Sequence, residues 1–494
     1  MREVQVSEVP VQHTRWNTHD FPDAAKVLLE DSQTRKNVQH ATNVIQGKRN
    51  KVTAELPDWE DLREAGAQVK AHTLRHLDYY LTKFEENCTR AGGHVHWASD
   101  ADEANRIILG LVRSHGAKEV IKIKTMTSEE IGLNATLEAN GVWPVETDLA
   151  ELIIQLGKDR PSHFVVPALH KNKEQIREIF QREMNLPDLG DQPIDLATAA
   201  RTYLREKYMR IKVAISGGNF LIADTGGMCI VESEGNGRMC LTLPDVLISV
   251  VGIEKVIPSF RDLDILLQTL PRSATGERMN PYNSTWTGVH PGDGPKEFHV
   301  VLLDNGRSPI LADKEARQTL QCIRCAACLN ACPVYHQTGG HAYESVYAGP
   351  IGAILTPQLH SMGEGRSLPY ASSLCGACYE VCPVKINIPE VLIHLRGKIV
   401  REDQATLAGK FSLWNIGMQA AAFLFKDAGR LSMAEHLGQI GQKALVSKNG
   451  FIEWMPGMLS GWTQTRDLKA MPEQSFRDWW AKERAPQDKE DAHG

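Results

Sequence analysis

Cysteine spacing constrains this chain more than any other feature. Seven of its ten cysteines lie between residues 322 and 382, in two runs that both end in Cys-Pro. A two-residue gap lets neighbouring thiolates reach corners of one cubane, whereas the cysteine before each proline is directed to the other cluster. The two runs therefore predict two adjacent [4Fe–4S] clusters between which electrons can pass. The runs are Cys322-x-x-Cys325-x-x-Cys328-x-x-x-Cys332-Pro333 and Cys375-x-x-Cys378-x-x-x-Cys382-Pro383.

The same spacing assigns the ligands, with each cluster taking one cysteine from the other run. The two expected sets are Cys322, Cys325, Cys328 and Cys382 for cluster 1, and Cys332, Cys375 and Cys378 for cluster 2. A complete second run would begin with a cysteine at position 372, but that residue is Ser372. Cluster 2 is thus one thiolate short, and Ser372 Oγ, another residue, water or a substrate completes it.

Other uses of these cysteines fit the spacing less well. A structural zinc site also uses Cys-x-x-Cys pairs, but it needs four ligands and has no use for the terminal Cys-Pro step. Disulfides need an oxidising compartment, and the first residues lack the apolar core of a secretory signal. The other three cysteines, Cys88, Cys229 and Cys240, are expected to be ordinary reduced residues.

Length and composition limit the class of protein. A chain of 494 residues predicts two or three domains. Its 42% hydrophobic and 23% charged residues are typical of a soluble globular protein. The net charge of −6 gives no electrostatic support for nucleic-acid binding. The most apolar segment, residues 411–425, is shorter than the roughly 20 residues of a membrane-spanning helix. It is expected to be a buried or docking helix, and the protein is expected to be cytoplasmic.

Four regions follow from the pattern along the chain. They are an N-terminal helical arm (1–90), an α/β domain (91–305), a two-cluster ferredoxin-like domain (306–395) and a helical C-terminal segment with a disordered tail (396–494). In the α/β region, a strand at 119–124, a helix through Asn140 and a strand at 142–146 form a β-α-β unit. Such a unit predicts a parallel sheet.

Two local features carry further expectations. Asn236-Gly237 is a hairpin turn sequence, which predicts that strands at 228–232 and 239–242 pair through it. Five of the ten tryptophans lie in the C-terminal segment. Packing in a small core is the expected role for them, ahead of a surface that docks a partner.

Four short motifs in the α/β region do not by themselves name a reaction. They are Ser216-Gly217-Gly218-Asn219, Ala223-Asp224-Thr225-Gly226-Gly227, Lys124-Thr125-Met126-Thr127 and the pair Glu232 and Glu234. The first lacks the dinucleotide-binding pattern, and the second is expected to be a tight turn. The third is either an anion-binding helix start or a plain connection, and the fourth either paired carboxylates or a solvated strand end. No catalytic residue can be assigned.

Several longer segments together carry a family resemblance. They precede the cysteine runs in the order ETDLAELIIQL (146–156), NFLIADTGG (219–227), ESEGNGRM (232–239), VGIEKVIPS (251–259) and EFHVVLLDNGRSPI (297–310). With the missing first cysteine of the second run, the sequence closely resembles the LutB/LldF family of lactate-utilization iron–sulfur proteins, including its YkgF members. The resemblance extends from near the N-terminus through at least residue 400.

The resemblance has implications for fold, partners and activity. It implies that the α/β region is a LUD domain, similar in fold to the NagB, RpiA and CoA-transferase proteins, followed by an α-helical ferredoxin domain. It implies two partners, a LutA-like cysteine-rich protein and a LutC-like LUD protein, which together with this chain oxidise L-lactate to pyruvate without NAD. Association with a membrane would come only through those partners. The family's cluster ligands fall on the seven cysteines that the spacing selects.

Three functions are compatible with these observations. The leading hypothesis is an electron-transfer subunit of an NAD-independent L-lactate oxidation complex, which allows growth on lactate. In the second, this chain is the catalytic subunit, and the incomplete cluster binds the hydroxyacid as a Lewis acid. In the third, the protein is a redox-sensing scaffold.

Overall fold

The computed structural model describes residues 19–359, 362–464 and 466–484. The chain divides into two compact units, residues 1–399 and residues 400–494. The first 18 residues of the expected helical arm and residues 485–494 of the expected disordered tail lie outside the described residues.

The described part of the N-terminal arm is helical, as its composition predicts. Its helices are α1 (Phe21–Glu30), α2 (Ser32–Ala54), α3 (Trp59–Arg75) and α4 (Leu77–Arg90). Helix α2 starts at Asp31, whose carboxylate accepts hydrogen bonds from the backbone of Gln33 and Thr34. Helix α4 buries one residue per turn on one face, the periodicity of a helix packed on a core: Leu77, Leu81, Phe84 and Cys88.

The α/β part of the first unit alternates strands with helices. Its strands are β1 (His94–Ala98), β2 (Glu119–Lys122), β3 (Trp143–Glu146), β4 (Val213–Ser216), β5 (Phe220–Ile222), β6 (Gly227–Glu232), β7 (Val246–Gly252), β8 (Val256–Ile257), β9 (Tyr282–Trp286) and β10 (Glu297–Leu303). Its helices are α5 (Ala101–Ser114), α6 (Met126–Glu130), α7 (Leu133–Ala139), α8 (Leu149–Leu156), α9 (Lys173–Glu183), α10 (Pro193–Arg210), α11 (Asn236–Thr242) and α12 (Phe260–Ala274).

Six of these strands form a sheet in the order β1-β10-β7-β4-β2-β3, and every neighbouring pair is parallel. The other four form a mixed sheet in the order β8-β5-β6-β9. All of β7 is buried, and its side chains alternate between two cores. Val246, Ile248 and Val250 enter the core on one face, whereas Leu247 and Val251 enter the core on the other. The six-stranded sheet is therefore the middle layer of a three-layer arrangement.

The predicted β-α-β unit is present. Strand β2 pairs with β3 in parallel, with Ile121 opposite Val145. The connecting helix is broken into α6 and α7 at Gly132, whose backbone is left-handed with a φ of 61°.

The hairpin predicted at Asn236-Gly237 is wrong, because residues 236–242 form helix α11. The carboxylate of Glu232 accepts hydrogen bonds of 2.6 Å from the backbone N–H groups of Gly237 and Arg238. Those N–H groups belong to the first turn of α11, where a carboxylate is favoured by the helix dipole. Glu232, four residues before Asn236, thus stabilises the start of a helix. The Asn-Gly sequence taken alone predicts a turn followed by a strand.

The cysteine runs lie among short helices at the end of the first unit. These are α13 (Arg307–Ala312), α14 (Ala327–Asn330), α15 (Pro333–Thr338), α16 (Gly349–Leu359), α17 (Ala377–Glu380) and α18 (Ile388–Ala405). Six of the seven cysteines in the runs belong to, or pack against, a hydrophobic core shared with α1, α2, α3, α12 and α16. The N-terminal arm therefore packs on the cysteine-bearing segment, although the two lie about 300 residues apart in the sequence.

The second unit is mostly helical, in agreement with its pattern. Its elements are α19 (Leu407–Lys410), α20 (Leu413–Phe425), α21 (Ala428–Gly441), β11 (Phe451–Ile452), α22 (Ser460–Thr463), β12 (Leu468–Lys469) and α23 (Phe476–Trp479). Strands β11 and β12 pair in an antiparallel fashion. Among the described residues, no helix combines the length and apolar character needed to cross a membrane.

One expectation for this unit is wrong, and one of the two alternatives for another is excluded. The tryptophans do not pack in a small core, since Trp414, Trp454 and Trp462 are 64%, 62% and 61% exposed. Helix α20 is not a buried helix, because Asn415 is the one buried residue among its described positions. Within the described residues of this unit, Ile452 is the one buried apolar side chain, so short helices and a two-stranded ribbon enclose almost no core. A docking role for α20 stays a prediction.

Candidate functional site

Four cysteines line one small cavity. Cys322, Cys325 and Cys328 come from the first run, and Cys382 comes from the second. The other lining residues include Phe164 and a set of aliphatic side chains: Ile323, Ile351, Val384, Ile386 and Ile388. These four thiols are the ligands that the spacing predicts for cluster 1, and the fold brings them together in an apolar setting.

The remaining three cysteines of the runs form a second group. Burial, with a smaller effect of the neighbouring Cys332 and Cys375 thiols, raises the pKa of the Cys378 thiol to about 12. Burial also raises the pKa of Cys332, with Cys375 as an additional cause. The first group is close by, because Cys378 contributes to the raised pKa of Cys328. Cys375 is exposed at the surface, unlike the other cysteines.

The two runs repeat one local structure, with Cys325 and Cys375 lying 50 residues apart. Helices α14 and α17 each begin directly after a residue with a left-handed backbone, Ala326 with a φ of 63° and Gly376 with a φ of 85°. A second left-handed residue precedes each of the two cysteines, Arg324 with a φ of 62° and Leu374 with a φ of 56°. The same unusual backbone in both runs aims the cysteine side chains alike.

The repeat identifies what Ser372 replaces. The backbone N–H of Arg324 donates to Sγ of Cys322 at 3.4 Å. In the second run, the backbone N–H of Leu374 donates to Oγ of Ser372 at 3.1 Å. Ser372 Oγ thus has the position in the second run that Cys322 Sγ has in the first.

The chemistry of these groups fits iron–sulfur clusters. Thiolates are soft ligands that select zinc, copper(I) or iron–sulfur centres over hard cations. Burial raises the pKa of Cys325, Cys328 and Cys382, that of Cys382 to about 11, so these thiols stay protonated near neutral pH unless a metal binds them. Seven thiols in two adjoining groups exceed what a single four-ligand zinc site uses.

Two buried arginines of the N-terminal arm hold the second run in place. On α2, Arg49 Nη2 donates to the carbonyl oxygen of Val381 at 3.2 Å. On α3, Arg63 donates to the carbonyl oxygens of Cys382 at 2.9 Å and Tyr379 at 3.0 Å. Sequence reasoning missed both residues, because they belong to a helical arm whose pattern carries no sign of contact with the runs.

A larger cavity of about 410 Å³ opens at the carboxyl ends of β2, β4 and β7. This is the edge at which open α/β sheets bind ligands. Three of the four unassigned sequence motifs meet there: residues 124–127, residues 217–219, and Glu232 with Glu234. The fourth motif forms a turn, as predicted, with the Gly226 N–H donating to the Ile222 carbonyl at 2.9 Å.

The cavity has an acidic side. Burial and the charge of Asp148 raise the pKa of Glu234 to about 7, and Glu234 Oε2 accepts from the Leu149 N–H at 3.1 Å. Burial also raises the pKa of Glu232. Lys124 lies on the same cavity, but it donates to the Phe164 carbonyl and pairs with Glu151 at 3.6 Å. Lys124 is therefore a neutralised residue, and the anion-binding role suggested for its segment has no support in these contacts.

The side of the cavity that faces the cysteines is cationic. Lys255 follows β7, and Arg324 lies between Cys322 and Cys325 in the first run. Burial and the charge of Arg324 lower the pKa of Lys255 to about 7. Phe164 lines both this cavity and the cysteine cavity, so the two are neighbours. The sequence contained both cations, in VGIEK and inside the first run, but nothing in either pattern placed them together.

A buried ionic network joins the α/β part to the cysteine segment. Arg307 donates to Glu130 at 2.8 Å and to Glu254 at 2.6 Å. The Tyr347 hydroxyl donates to Glu130 at 2.5 Å, and Arg324 Nη2 donates to Glu254 at 3.4 Å. Burial opposes ionisation of Glu254, but Arg307 and Arg324 hold its pKa at about 2. This network fixes Arg324 at the boundary of the two cavities.

Comparisons with known proteins agree with the two-part organisation. Residues 81–303 match the LUD domain family, and residues 318–386 match the family described as 4Fe-4S dicluster domain. A solved structure of a DUF162 family protein from Deinococcus radiodurans covers 46% of the chain at 12% identity, but its TM-score of 0.26 is too low to carry an argument.

Relatives match almost the whole chain. Lactate utilization protein B 1 of Bacillus mycoides (strain KBAB4) is 43% identical over 455 residues, which cover 92% of this chain and 94% of that protein. Lactate utilization protein B of Oceanobacillus iheyensis is 42% identical, covering 94% and 96%. Lactate utilization protein B of Bacillus subtilis (strain 168) is 41% identical, also covering 94% and 96%.

Proposed function

Because this chain belongs to the lactate utilization protein B family, we propose that it is the iron–sulfur electron-transfer subunit of an NAD-independent L-lactate oxidation complex. Its role in lactate utilization and its iron–sulfur domain follow from the family. The observation that carries the finer proposal is the gathering of seven thiols into two adjoining groups beside a cavity of the LUD domain.

We assign four thiols to cluster 1 and three to cluster 2. The cavity shared by Cys322, Cys325, Cys328 and Cys382 supports the first set. The second set is supported by the effect of Cys375 on the pKa values of Cys332 and Cys378, and by that of Cys332 on the pKa of Cys378. The matched position of Ser372 and Cys322 makes Ser372 Oγ the proposed fourth ligand of cluster 2. When bound, two neighbouring [4Fe–4S] clusters supply two one-electron acceptors, matching the two electrons released with two protons as L-lactate becomes pyruvate.

Backbone donors near the sulfur atoms favour electron acceptance. The N–H of Arg324 donates to Cys322 Sγ, and the N–H of Ile386 donates to Cys382 Sγ, both at 3.4 Å. Hydrogen bonds to cluster sulfurs stabilise the more negative, reduced state and so raise the reduction potential. Cys322, Cys325, Cys328 and Cys382 line a cavity next to the larger one, so a cluster that they held would be the proposed point of electron entry.

Cluster 2 is the proposed exit. Its ligand Cys375 is exposed, whereas Cys325, Cys328 and Cys382 are buried. An exposed ligand lets a partner approach within electron-transfer distance. The proposed partners are a LutA-like cysteine-rich protein and a LutC-like LUD protein, and the proposed location is the cytoplasm, whose thiols are kept reduced.

The proposal is tested by isolating the complex anaerobically, adding L-lactate and following the clusters by electron paramagnetic resonance. Reduced-cluster signals should appear within the turnover time and grow with lactate concentration. D-lactate and NADH serve as controls that should give no comparable signal. Clusters that stay oxidised while the complex forms pyruvate would remove the electron-transfer role.

One observation favours a second candidate function. Ser372 stands where a thiolate would complete cluster 2, and if its Oγ did not bind, an iron held by the other three thiols would be open to a substrate oxygen. In that case this chain would be the catalytic subunit, with the iron polarising the hydroxyacid. Substitution of Ser372 separates the two candidates.

A further inference from the structure

We propose that the 410 Å³ cavity at the carboxyl ends of β2, β4 and β7 binds a small 2-hydroxy- or 2-oxomonocarboxylate, with its carboxylate held by Lys255 and Arg324. The substrate class rests on the proposed function. The inference deepens that function, because it locates the substrate on this chain and next to cluster 1.

Among the described residues, Lys255 is a buried lysine with no directly paired carboxylate, although the charge of the neighbouring Glu254 acts on it. Its side chain lines the cavity, and the residue is 7% exposed. Within the part of the chain that the structure describes, Lys255 has neither a hydrogen bond nor an ion pair. Burying an ammonium group without a partner is costly, so an anion in the cavity would supply the missing interaction.

Arg324 lines the same side of the cavity and carries a donor with no partner among the described residues. Its side chain is 9% exposed, and Nη1 is buried with no hydrogen-bond partner. The rest of the guanidinium is fixed, because Nη2 donates to Glu254 and the group lies 4.8 Å from the ring centre of Tyr347. A guanidinium held in this way is suited to a carboxylate, which matches its planar fork of N–H groups.

The rest of the cavity selects for one carboxylate and a small apolar group. Asp148, Glu232 and Glu234 lie on the acidic side, where a second carboxylate of the ligand would meet like charges. Ile123 and Ile230 add an apolar wall that accommodates a methyl group. The lining therefore favours a monocarboxylate such as L-lactate or pyruvate over a dicarboxylate.

The position of the carboxylate brings the ligand close to cluster 1. Arg324 is the residue directly before Cys325, and its backbone N–H contacts Cys322 Sγ. Phe164 lines both cavities. A ligand on Lys255 and Arg324 would thus lie on the cluster side of the LUD domain, where electrons from its oxidation have a short path.

The rival explanation is that the two cations only balance the negative charge of cluster 1. Both residues lie close enough to Cys322 for its charge to act on them, since the Cys322 thiolate would raise the pKa of Lys255 and that of Arg324. Charge balance alone predicts that removing Lys255 changes the cluster but leaves ligand binding as it was. The two explanations therefore differ in a binding measurement.

The test is calorimetric titration of pyruvate, L-lactate and L-malate into the anaerobically reconstituted full chain. Pyruvate and L-lactate should bind, and L-malate should bind more weakly. Lys255→Gln should weaken pyruvate binding about 10–100-fold, the range for losing a charged hydrogen bond. Lys255→Arg should restore most of it, and Lys296→Gln, at an exposed lysine paired with Asp245, should leave it unchanged.

Iron content and the cluster spectrum of each variant show whether the clusters are intact. Absence of pyruvate and L-lactate binding to the wild-type chain, or unchanged binding in K255Q, would overturn the inference. The experiment distinguishes failure of this inference from failure of the proposed function. If lactate still reduces the clusters of the complex and K255Q leaves the KM for lactate unchanged, only the binding-site inference fails. Conversely, if K255Q weakens pyruvate binding but lactate does not reduce the clusters of the complex, only the proposed electron-transfer role fails.

Discussion

At the scale of single residues, Ser372 is the position where two functions separate. Its Oγ accepts the same backbone hydrogen bond as Cys322 Sγ in the other run. A serine oxygen is a harder ligand than a thiolate and leaves its iron easier to exchange. The structural repeat therefore identifies Ser372 as the candidate fourth ligand of cluster 2. Substitution of Ser372 tests whether the proposed cluster has three or four protein ligands.

Ser372→Cys should complete the thiolate set of cluster 2. We expect higher iron retention after exposure to air and full lactate-dependent electron transfer, because relay between clusters needs no open iron. Iron analysis and dye-linked lactate oxidation measure both. Ser372→Ala is the matched variant. If S372A retains all its iron but loses activity, and S372C is inactive too, the catalytic role is favoured over the electron-transfer role.

Position 226 is restricted to glycine both by its backbone conformation and by the close approach of neighbouring atoms. Its φ is 68°, and a Cβ built there would lie 2.1 Å from the backbone nitrogen of Cys88 on α4. We expect Gly226→Ala to lower the free energy of unfolding by about 2–4 kcal/mol, through strain and overpacking. Urea denaturation measures the change. Gly116→Ala is the control, because Gly116 has a φ of 63° with nothing within 4 Å, and it should cost about 1 kcal/mol. Equal losses in the two variants would contradict the packing argument.

At the scale of elements, helices of the N-terminal arm are part of the cluster site. Helix α3 passes along the second run, and Arg63 donates to two of its carbonyl groups. Arg63 is 5% exposed, so its removal leaves these carbonyls without their donor in a buried setting. The arm thus orients Cys382, the proposed cluster 1 ligand that comes from the second run.

Arg63→Gln should therefore affect cluster 1 more than cluster 2. We expect a loss of about 2–4 kcal/mol in stability and a lower occupancy of cluster 1. Mössbauer spectroscopy of protein reconstituted with ⁵⁷Fe would resolve the two clusters. Arg75→Gln, at an exposed arginine on the same helix, is the control and should retain both. Normal iron content in R63Q would show that the arm does not support the site.

Elements with a strong local pattern were predictable from the sequence. The β-α-β unit at 119–146 is present because apolar strands flank a helix-forming segment, and that pattern needs no distant partner. Helix α11 was not predictable from Asn236-Gly237, since the carboxylate of Glu232 starts it from outside the turn. The tryptophans of the second unit were mispredicted because composition does not reveal how little core their short elements enclose.

At the scale of the whole molecule, one ionic network joins the α/β part of the first unit to the cysteine segment. Arg307 pairs with Glu130 and Glu254, and Glu254 also contacts Arg324. Burying so many charges is tolerated only because each has a partner. Glu254 carries a clear pH dependence, since its pKa of about 2 lies below the usual value of 4.5.

A carboxylate with a lowered pKa stabilises the fold above its unfolded pKa and loses that effect as pH falls towards its folded pKa. We expect the free energy of unfolding to decrease as the pH is lowered from about 4.5. By pH 3, about 2 kcal/mol of the contribution of Glu254 should be lost. The difference between wild type and Glu254→Gln in urea denaturation should shrink over this range. Glu315→Gln, at an exposed carboxylate, should follow the wild-type slope. A constant difference between wild type and E254Q would refute the network's role.

The large cavity was the least predictable part of the molecule. Residues 124–127, 217–219 and 232–234 each carried only a weak motif, and they meet because β2, β4 and β6 end near one another. Lys255 and Arg324 come from different parts of the chain, and only the packing of the cysteine segment on the LUD domain brings them together. The gathering of Cys322, Cys325, Cys328 and Cys382 around one cavity, by contrast, was predictable, because cluster geometry restricts ligand spacing within a run. The ligand sets themselves stay predictions.

The central claim is that two clusters are held by interlocked runs, with Cys382 and Cys332 exchanged between them. The most direct test measures iron, sulfide and the electron paramagnetic resonance spectrum of the reduced, anaerobically reconstituted chain. The account predicts about eight irons per chain and a spectrum broadened by interaction between two nearby spins. Stoichiometric zinc, or about four irons with the spectrum of one isolated cluster, would contradict it.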